Sequence, residues 1–322
     1  MQRVVHVVLA ALVLASVGSA AAQSWPSQPI RFIQGFNPGG NPDIVARLLA
    51  GPMSEILGQP VVVESRVGGG GVVAAASLAN AKPDGYTIML VAAGFAAGVG
   101  LHKSLPYHPV NDFTFLSMVT RIGYVIVARP DGPYKTIGEL VAAAKAQPGR
   151  IHYATGGVGT GIHLTMELFL ARAGLQMEHV AYRGGTTQVQ ALLAGDVPVL
   201  VDTPTPIVAL VDAGKIKPLA ISSKTRWARW PNVPTIDETV LPGFEVNGWL
   251  GVMTAKGVPA PVVTRLNEAV RAAAARPEVR AKLLLLTTDV WTTTPEEMRT
   301  YVADDIALWT KVIRDARIPP VD

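Results

Sequence analysis

Cysteine is absent from the 322 residues, charged side chains make up only 16% of them and aromatic ones 6%. Without cysteine there is no disulfide framework, no Cys-ligated metal site and no thiol nucleophile, so stability has to come from packing. A lipid anchor through an N-terminal cysteine is excluded for the same reason. Basic residues exceed acidic ones by only four, 28 against 24, and the excess falls to three once Arg3 is removed with the leader described below. Lys and Arg form no stripe and aromatics do not interleave with them, which argues against a nucleic-acid partner. Motifs of common enzymes are missing too. No G-x-S-x-G elbow, no H-E-x-x-H pair and no Lys-Ser/Thr P-loop ending occurs, and the six His show no i, i+4 spacing.

Long apolar runs are also scarce, and the one at the N-terminus has its own reading. Arg3 is a short positive region, Val4–Val17 an apolar core, and Gly18–Ala22 a run of small residues suited to cleavage before Gln23. An apolar core of about 14 residues is too short to span a bilayer, so residues 1–22 read as a secretory signal peptide and not an anchor. The mature chain of about 300 residues is long enough for two domains with cores of their own.

What the chain does have is glycine placed between strands and helices. Phe36-Asn37-Pro38-Gly39-Gly40 follows the apolar run Ile30–Phe36 and precedes a helical pattern through Ile44, Val45, Leu48 and Leu49. Such a junction lets backbone approach a ligand and presents unpaired N–H groups at the positive end of a helix. A second stretch, Thr155-Gly156-Gly157-Val158-Gly159-Thr160-Gly161, lies between Ile151–Ala154 and the helical Leu164–Leu170. Two anion-receptive loops far apart in sequence predict a cleft closed from two sides. Between them the chain reads as βα repeats: strand 60–64, helix 72–80, strand 86–92, a small-residue loop 93–98, then one strand 119–128 ending at the break Arg129–Pro133. The first chain crossing between domains is placed in that stretch. Thr136 with Glu139 predicts a capping box for a helix that ends near Gln147. Strands 179–182, 197–201 and 219–222 alternate with helices 187–194 and 207–213, strand 245–253 returns to the first domain, and helices over 261–276 and 295–316 follow.

Many of these pieces match a known family in order. Trp25-Pro26, Phe36-Asn37-Pro38-Gly39-Gly40 with Asp43, Gly58-Gln59-Pro60, Pro83-Asp84-Gly85-Tyr86, Leu105-Pro106-Tyr107, Gly159-Thr160 with His163, Val180-Ala181-Tyr182-Arg183-Gly184 and Leu241-Pro242-Gly243-Phe244 carry the likeness. Over its mature length the chain resembles the Bug family, the TctC-like receptors of tripartite tricarboxylate transporters. That resemblance implies an α/β fold of two domains, a type II-like Venus flytrap of the periplasmic-binding-protein kind. Each domain would hold a mainly parallel sheet flanked by helices, with domain 1 as 23–124 plus 248–322 and domain 2 as 125–247.

The same resemblance implies a periplasmic receptor, without enzymatic activity or cofactor, that captures a small carboxylate and delivers it to membrane permease subunits. Its ligand residues carry over as Phe36, Asn37, Pro38, Gly39 and Gly40 on one jaw. Thr155, Gly156, Gly159, Thr160 and His163 lie on the other, with Asp202 and Thr203 at the pocket floor. Other readings of single residues stay open: Gly39-Gly40 as a plain tight turn, His163 as a cap or packed ring, Asp202 as a cap. Asp43 reads as a complement to its helix dipole, and Arg183 as a surface residue before a carboxylate clamp. Asn37 stands where the family commonly has Ala, and the stretch Ala92–Gly98 lacks hydroxyls, so a partly apolar acid is as plausible as a hydroxylated one. A sensor that presents the acid to a signalling partner is the alternative use of the same site.

Overall fold

The computed structural model describes residues 25–315 and 318–320; the leader read from residues 1–22 lies outside them. In chain order the elements begin with β1 (Ile30–Gln34), α1 (Asn41–Leu57), β2 (Val61–Ser65), α2 (Val72–Ala79), β3 (Thr87–Ala92), α3 (Gly94–Leu101) and β4 (Phe113–Gly123). Then come β5 (Val125–Ala128), α4 (Ile137–Ala146), β6 (His152–Thr155), α5 (Gly161–Ala173), β7 (Glu178–Ala181), α6 (Thr187–Ala194) and β8 (Val199–Asp202). The chain ends with α7 (Val208–Asp212), β9 (Lys217–Ile221), α8 (Ile236–Thr239), β10 (Asn247–Ala255), α9 (Ala260–Ala275), α10 (Pro277–Leu285), β11 (Asp289–Val290) and α11 (Pro295–Asp315).

Two sheets result, ordered β11-β4-β10-β3-β1-β2 and β7-β6-β8-β5-β9. Each is mixed. β1, β2 and β3 pair in parallel while β10 runs antiparallel to both β3 and β4. In the second sheet β6 is parallel to β7 and β8, and β5 is antiparallel to β8 and β9. Three strands run against the βαβ strands: β5 and β10, which enter a sheet after the chain has crossed from the other, and the two-residue β11, antiparallel to β4 at the sheet edge. The expected single strand 119–128 is in fact two strands in two sheets, parted at Tyr124. Ser222 ties the two crossings together: its Oγ accepts from the Tyr124 N–H at 2.8 Å and donates to the Val246 carbonyl at 2.7 Å.

Both faces of each sheet are covered, as strands with near-continuous apolar runs require. On the first sheet Phe32, Ile88, Leu90 and Val252 pack on α1 and α9, while Ile33, Met89, Val91 and Met253 pack on the other side with α2 and Met298 and Val302 of α11. Each such side chain, fully removed from water, contributes about 1.5–3 kcal/mol. The second sheet buries Val125, Val127 and Leu200 on one face and Ile126, Tyr153 and Val201 on the other. Trp309, Ile313 and Ile318 belong to that last cluster, so the C-terminal helix reaches from one sheet's core to the other's.

Two local expectations change. The small-residue loop 93–98 is helix α3, with Gly94, Phe95, Ala96, Ala97 and Gly98 buried; glycine disfavours a helix in isolation, but Gly94 and Gly100 are needed because the backbone of the Gly159–Gly161 loop and of Thr310 packs against them. The capping box at α4 is half formed. Thr136 Oγ1 accepts from the Glu139 N–H at 3.1 Å, but the Glu139 carboxylate takes the N–H of Lys135 at 2.6 Å, not that of Thr136.

Candidate functional site

A cleft of about 600 Å³ opens between the two sheets. It is lined where strands end, the position at which open α/β sheets gather ligands. Phe36 and Gly40 follow β1, Ala93 and Gly94 follow β3, Gly156 follows β6, Gly184 and Gly185 follow β7, and Asp202 and Thr203 close β8. Ile122, Tyr124, Gly248, Trp249 and Leu250 of the crossing strands form the floor.

The first turns of α1, α3, α5 and α6 all contribute to this lining. At α1, α3 and α6 no side chain caps the helix, so early N–H groups are left for something else to satisfy. Each helix start carries roughly half a positive charge, worth up to about 2 kcal/mol to a partly buried anion. Among the described residues no Lys, Arg or His lines the cleft. Its positive potential therefore comes from backbone alone, while Asp202 is its acidic side chain. Asp202 is buried, with Oδ1 accepting from the Thr203 N–H at 2.7 Å and Oδ2 from Gln188 Nε2 at 2.9 Å. Burial pushes its carboxyl up to about 6 even though these donors pull the other way.

Glycines let the two sides meet backbone to backbone. A Cβ on Gly94 would sit 3.1 Å from the Gly159 carbonyl oxygen and 3.2 Å from Thr160 Cα; one on Gly185 would sit 2.8 Å from the Pro38 carbonyl oxygen. Thr205 Oγ1 donates to Asn41 Oδ1 at 2.9 Å, and Asn37 Nδ2 donates to the Arg183 carbonyl at 3.0 Å. The loops of the two sheets are thus in direct contact, a closed arrangement.

Of the residues singled out from sequence, Phe36, Gly40, Gly156, Thr160, Asp202 and Thr203 line this cleft. Others stand behind or beside it. Gly39 gives its N–H to the Asp43 carboxylate at 3.0 Å, and Asp43 also takes Arg47 Nε at 3.0 Å. Pro38 faces Gly185, and Asn37 lies at the lip on Arg183. Thr155 Oγ1 accepts from the Gly157 N–H at 3.2 Å and meets His179 Nε2 at 2.7 Å. The Gly159 N–H donates to His163 Nδ1 at 3.3 Å. These three shape the second glycine loop from beneath. Gly184, Gly185 and Gln188 were not picked out as ligand residues, although a glycine pair before a helix is the same signal as Gly39-Gly40. Ile122, Tyr124, Trp249 and Leu250 left no signal, because in sequence they are ordinary core residues.

Beneath the loop His163 and His179 stack with ring centroids 4.2 Å apart, and burial holds them down to about 3 and about 4. Both are neutral at pH 7, which keeps Nδ1 of His163 an acceptor. In the unfolded chain they protonate below about 6.5, so their contribution to stability is lost as pH falls toward the folded values. Asp202 and Asp305, each raised to about 6, oppose this between about 6 and 4 by taking protons in the folded state. The histidine shifts are larger, so the melting temperature is expected to fall from pH 6.5 to pH 4. His163→Asn, whose Oδ1 can replace Nδ1 as acceptor, should flatten that decline in a pH series of thermal melts; an unchanged slope would show that the pair does not cause it.

A two-domain α/β fold with a closed, backbone-lined cleft between its sheets defines the class of periplasmic binding proteins. Solved structures agree. The periplasmic binding protein BugD superposes with a TM-score of 0.88 at 32% identity, over 92% of this chain and all of that one. R. palustris Rpa4515, solved with adipate, gives 0.88 at 31% over 92% and 100%, and MatC (Rpa3494) from Rhodopseudomonas palustris, with bound malate, 0.86 at 31% over 90% and 100%. Residues 45–318 match the tripartite tricarboxylate transporter family receptor, TctC. The chain belongs to that family.

Proposed function

We propose that this protein is a periplasmic receptor, without catalysis of its own, that binds a small organic acid in the cleft and hands it to the permease subunits of a tripartite tricarboxylate transporter. The observation that carries the proposal is the convergence of four helix starts on one cleft whose lining, among the described residues, holds no basic side chain. A carboxylate satisfies those N–H groups at helix starts. Adipate and malate in two neighbours at 31% identity support the same ligand class. Apolar walls from Phe36, Ile122, Ile162, Trp249 and Leu250 suit an acid with a hydrocarbon body.

In this reading the jaws are residues 23–124 with 248–322, and 125–247, and Phe36, Gly40, Gly156, Thr160, Asp202 and Thr203 touch the ligand. Asn37, Pro38, Gly39, Thr155, Gly159 and His163 hold the loops that do. Closure is favoured by ligand because only the closed form brings all four helix starts to it. The leader, residues 1–22, would direct export and be removed. The test is a thermal-shift screen of the mature protein with mono-, di- and tricarboxylates. A shift that grows with concentration is expected, about 2.7 kcal/mol of stabilisation at a hundredfold excess over Kd. If no acid shifts the melt and mass spectrometry of the denatured protein releases none, the proposal fails.

A further inference from the structure

Among the described residues, two side-chain hydrogen bonds join the loops of the two sheets at the cleft. The one from Asn37 to the Arg183 carbonyl is exposed at the lip, whereas the one between Thr205 and Asn41 is buried. Asn41 opens α1 on the first sheet, and Thr205 follows β8 on the second. Their bond uses only one end of the Asn41 amide. Thr205 Oγ1 donates to Oδ1 at 2.9 Å, and Nδ2 has no hydrogen-bond partner among the described residues. Nor is Nδ2 sealed off, because the fully enclosed side-chain nitrogen or oxygen without a partner among those residues is Thr120 Oγ1. Asn41 is otherwise buried and lines the cleft, so the cleft is where its amide nitrogen has access. A donor is useful there. Pro42 in the first turn of α1 has no N–H, and no side chain caps the helix. This helix start therefore offers an anion one backbone donor fewer than is usual.

We propose that Asn41 couples ligand binding to jaw closure: Nδ2 donates to the carboxylate seated at the start of α1, and Oδ1 takes the Thr205 hydroxyl of the opposite jaw. The assignment rests on the carboxylate reading of the cleft. It deepens that reading by naming the side chain through which an anion on one jaw holds the other. The chemistry is that of a planar amide, with a donor and an acceptor on one rigid group. A hydroxyl on Oδ1 fixes the rotation of the amide and so holds Nδ2 toward the cleft. A carboxylate on Nδ2 polarises the amide in return and makes Oδ1 the better acceptor. Each bond strengthens the other, and closure without the hydroxyl leaves Oδ1 buried and unsatisfied.

Calorimetric titration of the mature protein with acetate, malate, adipate and citrate, repeated in Thr205→Val, Asn41→Ala and the double variant, tests the coupling. Thr205→Val keeps the shape of the side chain and removes only the hydroxyl. Affinity for the acids that bind should then fall about fivefold, as for loss of one neutral hydrogen bond. Asn41→Ala removes both bonds and should lower affinity about fiftyfold, since a bond to a charged group adds about a further tenfold. The double variant should lose no more than Asn41→Ala, because the hydroxyl acts through Asn41 alone. Equal losses in the two single variants, additive losses in the double variant, or wild-type affinity in Asn41→Ala would each overturn the coupling while leaving the cleft reading intact. Should Asn41→Ala fail to fold, the expected fall in Thr205→Val supports the coupling and unchanged affinity there overturns it. A wild-type protein that binds none of the four acids overturns the carboxylate reading, and the coupling with it.

Discussion

Replacing Gly94 by Val is expected to weaken carboxylate binding by at least about a hundredfold while leaving the unliganded protein folded. The reason is where the new side chain would go. A Cβ at Gly94 meets three backbone atoms of the opposite jaw, the Gly159 carbonyl oxygen and the Gly161 nitrogen at 3.1 Å and Thr160 Cα at 3.2 Å. Backbone of the second glycine loop cannot step aside as a flexible side chain can, so the branched group blocks closure. About 2.7 kcal/mol corresponds to that hundredfold loss. Gly94 itself is at an ordinary helical φ, unlike Gly185 at φ +73°, so the substitution adds no left-handed strain within its own jaw. Gly94→Ala should give an intermediate loss, since one methyl asks the neighbours to move only a few tenths of an ångström. Calorimetry for affinity and small-angle scattering for jaw opening read the two halves of the effect. Wild-type affinity in Gly94→Val would show that the jaws need not meet here for binding.

The affinity for an anionic ligand should rise about tenfold as pH falls from about 7.5 to about 5.5, a coupling of roughly 1.4 kcal/mol. Asp202 is the source. Its carboxyl lines the cleft, and burial pushes it up to about 6. Above that pH it is ionised and opposes the ligand's charge. Below it, a proton removes the repulsion and turns the group into a donor. Taken as linkage, a ligand that binds the protonated form better raises the group's affinity for its proton in return. The same raised value means that ionised Asp202 costs folding stability above about pH 6, and that the cost is relieved as pH falls toward the unfolded value. Asp202→Asn should abolish the pH slope of affinity, whatever it does to the absolute value through the Gln188 contact. A wild-type affinity that falls over this pH range, or a slope retained in the Asn variant, would remove Asp202 from the ligand's surroundings.

Several elements were legible for local reasons. The helix ending at Leu57 is closed by Gly58 at φ 71°, and Thr136 caps α4 as a Thr before apolar periodicity should; that Thr160, read only as a ligand residue, also caps α5 is a finding of the structure. Phe36 and Gly40, Gly156 and Thr160 were legible because glycine between a strand and a helix marks a turn or a close backbone approach that a side chain would block. The strand at 119–128 was read as one because apolar residues flank Gly123 on both sides and a lone glycine inside a strand pattern does not by itself mark a sheet change. Helix α3 was missed since Gly-Phe-Ala-Ala-Gly carries no amphipathic period; it is buried on its sheet, on α11 and on the other jaw together.

Local chemistry in the sequence therefore determined the βα alternation, the caps, the glycine loops and, through its ordered motifs, the family. Tertiary structure alone decided which glycines line the cleft and which give their N–H to another part of the chain. Gly39 spends its N–H on Asp43, whereas Gly184, Gly185 and the Gln188–Asp202 pair come into the cleft from elements far away in the chain. The physical reason is that a hydrogen bond from a backbone N–H leaves no mark on residue type. Only the position of its partner, set by two sheets packed face to cleft, shows whether that N–H remains free for a carboxylate.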